Sequence, residues 1–179
     1  MYFIPVYLWA IAMPLQLSTT IRKSAPSWHR KIGTITLGIS GLLISISGVF
    51  FHVAGIAYQT HDPVGSLAWI FSNRNTTTVL AAWFLYVTIK GYLAARAKRF
   101  DQHRRWMVRY AAAGYSVVVQ RIIFIIVALV YGFNTEAEER FKRNLFGYLL
   151  SIGVALSVVV AELGLWVHSR PAKKSVKSL

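Results

Sequence analysis

Apolar residues in this chain gather into long runs instead of alternating with polar ones. Five runs approach the roughly 20 residues that a helix needs to cross a hydrocarbon layer about 30 Å thick. They cover about 2–18, 33–57, 77–97, 107–132 and 145–168. The connections between them are short, so consecutive helices must lie antiparallel. The pattern predicts an all-α fold: one transmembrane domain over residues 1–179, an integral membrane bundle of five helices. The first run is the shortest and carries Pro5 and Pro14, and its Ala10-Ile11-Ala12 imitates a signal-peptide cleavage site. A signal peptide begins with positive charge, yet no lysine or arginine precedes Arg22, so the run is read as a retained span. In the outer connection 58–76, Ser66-Leu67-Ala68-Trp69-Ile70-Phe71 reads as a segment lying along the membrane interface.

Composition agrees with this pattern. At 55% hydrophobic and 15% charged, the chain is too apolar for an ordinary soluble domain. It contains no cysteine, which excludes a disulfide framework, a thiolate metal site and a cysteine nucleophile. The formal charge of +14 would suggest nucleic acid in a soluble protein, but the positions of the basic residues point elsewhere. Arg22, Lys23, Arg30 and Lys31 lie in the first connection, and Lys90, Arg96, Lys98, Arg99, Arg104, Arg105 and Arg109 lie around the third. Arg170, Lys173, Lys174 and Lys177 lie in the tail. The opposite connections hold only Arg74, Arg140, Lys142 and Arg143. Basic loops resist translocation, so the N-terminus is expected outside and the C-terminus in the cytoplasm. The expected partners are the lipid bilayer and its anionic phospholipid, with no nucleic acid, in a bacterial inner membrane.

Several polar or small residues interrupt the apolar runs. Gly38, Gly41, Ser45, Gly48, His52 and Gly55 follow one another by three or four, which places them on one face of an ideal α-helix as a close-packing stripe. His52 sits at the outer end of that stripe, where an imidazole beside glycine suits haem b, with His61 as the other histidine on that side. His29, His103 and His168 fall at the inner boundary. With Asp101, the first two have donors for a metal, but Arg30, Lys31, Arg104 and Arg105 favour an anion such as a lipid phosphate or a haem propionate. Arg121 lies about 21 Å of helical rise from the inner end of its span and needs a partner inside the bundle. Glu162 is the one acid within the spans, although its depth differs from that of Arg121. Lys90 and Arg109 lie near enough to the inner surface to snorkel. Glu136, Glu138 and Glu139 read as a solvated face.

The stretch Trp28-His29-Arg30-Lys31-Ile32-Gly33, then Trp83, then His103-Arg104-Arg105-Trp106-Met107-Val108-Arg109 with Arg121 twelve residues later, resembles a bacterial family of predicted membrane proteins, domain of unknown function 2306. The resemblance covers the second to fourth runs and implies that His29, Gly33, His103, Trp106, Met107, Arg109 and Arg121 are family motif residues. It implies no particular reaction.

The chain shows no paired carboxylates, no serine or cysteine triad and no phosphate loop. It therefore reads as an accessory, docking or packing subunit of uncharacterised activity. The alternative is a haem b electron-transfer protein, quinone-linked, using His52 or the His29 and His103 pair as ligands and Arg109 or Arg121 for propionates. A small transporter working through Arg121, Glu162 and His52 is a third and weaker reading, because no internal repeat accompanies it.

Overall fold

The computed structural model describes residues 3–54, 73–131 and 136–169, with side chains for most of them. Gly55, His61, the 66–71 segment and the basic tail lie outside the described residues, as does the side chain of His52. All regular structure among the described residues is helical.

The first helix, α1 (Phe3–Leu17), is 15 residues long, about 22 Å of rise, and contains Pro14. Ser18 ends it and caps the next helix, α2 (Thr19–Ser24), its Oγ accepting from the Ile21 amide at 3.4 Å. A third helix, α3 (Pro26–Gly33), starts with proline in its first turn, where no amide hydrogen is needed. It runs without a break into a π-helical segment (Thr34–Gly41) and then α4 (Leu42–Val53). Three long helices complete the chain: α5 (Asn73–Arg96), α6 (Phe100–Tyr131) and α7 (Glu136–Ser169).

Among the described residues, four stretches are long and apolar enough to cross a membrane: Pro26–Phe50, Asn75–Arg96, Phe100–Tyr131 and Asn144–Ser169. The expected first span is shorter than the others, yet α1 is packed into the bundle, with Trp9 2% and Met13 1% exposed. Helix α6 packs between α5 and α7, the π segment and α4 lie against α5, and α1 lies against the π segment. Aromatic contacts centre the core: Phe84 stacks on Tyr110 at 4.4 Å between centroids, and Trp9 meets Tyr115 edge-on at 5.3 Å.

Burial follows the logic of a bilayer. Thr36, Ser40, Ser45, Thr88, Ser116 and Gln120 are buried, while Ile122, Ile125, Leu129, Ile152 and Val160 face outward. Lipid solvates apolar side chains as well as a protein interior does, so small and hydrogen-bonding residues occupy the helix contacts instead. Most of those hydroxyls bond within their own helix, as Ser45 does to the Gly41 carbonyl and Thr88 to the Phe84 carbonyl.

The π segment changes the expected glycine stripe. A π turn takes up about one residue more than an α turn, so it rotates whatever precedes it relative to α4. Gly41, Ser45 and Gly48 stay on the packed face, where a β-carbon at Gly48 would come 2.8 Å from Ala81. Gly38 leaves that face; a β-carbon there would meet only Thr34 of its own turn, at 4.0 Å. Thr36, Leu37 and Ser40 are buried in its place. Tyr110 secures the segment by donating its hydroxyl to the Thr36 carbonyl at 2.8 Å.

Candidate functional site: a basic cleft at the turn between two long helices

The turn from α5 to α6 is tight. The Arg99 amide returns to the Ala94 carbonyl at 2.9 Å and the Lys98 amide to Ala95 at 3.1 Å. Closing these bonds requires a left-handed residue, and Lys98 takes that conformation at φ 57°. His103 then ties the first turn of α6 to its neighbour, with Nδ1 2.9 Å from the Gly91 carbonyl. Gly91 allows the close approach, since a β-carbon there would press on the end of Met107.

Beside this turn an open cleft of about 610 Å³ lies along the two helices. Lys90, Arg99, Arg105 and Arg109 bring positive charge to its wall, alongside Gln102 and Trp106. Leu93, Ala94 and Ala97 form its apolar side. Gln102, Arg105, Trp106 and Arg109 are three, one and three positions apart, so they share one face of α6. Arg109 lies with its guanidinium 4.9 Å over the Trp106 ring and grips Glu162 of α7 through two bonds, Nε to Oε1 at 2.5 Å and Nη2 to Oε2 at 2.9 Å. Such two-point pairing uses the planar fork of the guanidinium.

His29 belongs to the same end of the bundle. Its carbonyl accepts from Gln16 Nε2 at 2.9 Å, which ties the end of α1 to α3. Its ring lies within electrostatic reach of both His103 and Arg22. Its Nδ1 is buried with no hydrogen-bond partner among the described residues. Among the described residues, no three His, Asp or Glu side chains converge as a metal site would need.

Other sequence-selected residues are placed elsewhere. Arg121 does not enter the bundle: its side chain is exposed, with the guanidinium 5.2 Å over the Phe146 ring. The neighbouring Gln120 is the buried polar residue, donating to the Phe146 carbonyl at 2.8 Å. Glu162 pairs with Arg109, which lies at its own depth on the antiparallel neighbour, and not with Arg121. Arg109 therefore has a structural partner beyond snorkelling. From sequence, Arg105 joins Arg30, Lys31 and Arg104 in favouring an anion, whereas Lys90 reads as snorkelling, Arg99 as an orientation charge, and Gln102 is not singled out. The three- and four-residue spacing of Gln102, Arg105 and Arg109 after the turn was the available signal, hidden among charges that orientation already explained.

No curated protein and no solved structure matches the chain. A family model described as "Predicted membrane protein (DUF2306)" matches residues 6–165, reaching beyond the motif-bearing segments into α1 and almost to the end of α7. With most of its length matched, the chain belongs to this family of membrane proteins of unknown function.

Proposed function

We propose that the protein is a non-catalytic accessory subunit of a bacterial inner membrane, docking laterally on a larger membrane complex. Five segments insert in this reading, with α1 as the short first one, the N-terminus outside and the C-terminus cytoplasmic. The carrying observation is Arg121. It lies fourteen residues beyond Met107 on a membrane-spanning helix, faces outward, and pairs with no acid among the described residues. A cation at that depth is costly unless something answers it, and a carboxylate on a neighbouring transmembrane helix would. Glu162 is not available, because Arg109 holds it.

Isolation of the complex from native membranes in mild detergent tests this reading. The expected result is a co-purifying membrane subunit that is lost in Arg121→Leu while the variant still accumulates. A lone protein in both preparations overturns it.

A second reading, haem b held by His29 and His103, draws support from the buried Nδ1 of His29, which has no hydrogen-bond partner among the described residues. His103 contacts Gly91 through Nδ1, which leaves Nε2 for iron. A Soret band that disappears in His103→Ala is its signature, and protein purified without one from haem-replete cells removes it.

A further inference from the structure

The α5–α6 cleft calls for an anion. Lys90, Arg99 and Arg105 line it, Lys90 with its ammonium 5.6 Å over the Tyr86 ring, and among the described residues no acid does. The fourth cation, Arg109, is already neutralised by Glu162 on α7. Three uncompensated like charges brought together at the membrane boundary repel one another in a medium less polarisable than water. A counter-charge of one or two units removes that repulsion, and phosphate oxygens suit guanidinium forks.

The rest of the cleft has the opposite character. Leu93, Ala94 and the Trp106 ring give it an apolar side, and Leu93 is 54% exposed. From Ala97 to Lys90 the cleft runs about 10 Å along α5, roughly the distance from a headgroup phosphate to the start of its acyl chains. Arg99 and Arg105 near the turn, with Leu93, Ala94 and Trp106 farther along the helices and Lys90 at the far end, match an amphiphile entering sideways from the bilayer.

The geometry points to a specific site for a phosphate-bearing anion in this cleft, with Arg99 and Arg105 holding the phosphate and Leu93 and Trp106 flanking what is attached to it. The site rests on the membrane embedding of the protein and on the expectation of anionic lipid at its basic end, but not on the docking role. The same phosphate chemistry comes from an acidic phospholipid headgroup or from a soluble phosphate.

The test uses the full chain purified in detergent, with native mass spectrometry after addition of phosphatidylglycerol or phosphatidylcholine and, in a separate arm, calorimetric titration with inorganic phosphate. Three variants accompany it. Arg99→Gln with Arg105→Gln removes charge from the cleft, and Ala97→Trp fills the cleft without changing its charge. Arg22→Gln with Lys23→Gln removes equal charge from α2, away from the cleft. Thermal melting confirms that each is folded. Binding of phosphatidylglycerol that weakens roughly tenfold or more in the first two variants and holds in the third supports a site filled by lipid. Phosphate binding with the same pattern supports a site filled from solution. Equal weakening in all three variants, or no preference over phosphatidylcholine together with no phosphate binding, overturns the site. The co-purification experiment on Arg121 can fail without affecting any of these outcomes.

Discussion

Arg109 on α6 and Glu162 on α7 meet through two parallel hydrogen bonds, with side chains 23% and 46% exposed. The pair joins helices that are antiparallel neighbours along much of their length and fixes their relative height. Removing either partner leaves a lone charge near the hydrocarbon. Arg109→Gln and Glu162→Gln are each expected to lower stability, and the double variant to lose less than the sum. The coupling should fall at about 0.6–1.7 kcal/mol, the range for interhelical polar contacts in membranes. Denaturation in detergent across the double-mutant cycle measures it, and strictly additive losses would show that the pair does not couple the helices.

The π segment separates two glycines that an ideal helix would align. Gly48→Leu should destabilise by about 1–3 kcal/mol because the new side chain collides with Ala81. Gly38→Ala, with open space around it, should change stability by no more than about 0.5 kcal/mol, or raise it. Melting temperatures of the two variants decide the matter; equal damage at both sites would restore the single stripe.

Tyr110→Phe removes the hydroxyl that the Thr36 carbonyl accepts, deep in the core. The expected loss is about 1–2 kcal/mol. Hydrogen exchange should rise in residues 34–41 more than in α7. A uniform rise would mean that Tyr110 acts through general packing.

Lys98 adopts a left-handed conformation that costs an ordinary side chain about 1 kcal/mol and glycine little. Lys98→Gly is therefore expected to stabilise the turn, raising the melting temperature by a few degrees. A fall would show that the Lys98 side chain makes a contribution larger than the backbone strain.

Gln120 and Arg121 are sequence neighbours with opposite surroundings. Gln120→Leu should cost about 1–2 kcal/mol, because it deletes the bond to the Phe146 carbonyl from a buried position. Arg121→Leu should leave the isolated protein within about 0.5 kcal/mol of the parent, since only the ring contact with Phe146 is lost. Chemical denaturation of both variants checks the contrast, and reversal of the order would place Arg121 inside the bundle.

Hydropathy alone was enough to establish a helical membrane bundle, because each span must satisfy its own backbone hydrogen bonds and requires a long apolar run to do so. Three features needed the tertiary structure. The direction in which Gly38 points depends on a π segment, and residues 34–41 carry no local signal for the extra residue per turn. The partner of Glu162 depends on helix register, which packing sets and span boundaries good only to a few residues leave open. The cleft depends on which faces of α5 and α6 meet beside their turn, where the Gly91–Met107 approach and the His103 bond hold the two helices together. Local sequence dictates which groups lie on one helix face; only the contact between helices decides which faces meet, and therefore whether converging charges repel, pair or await a ligand.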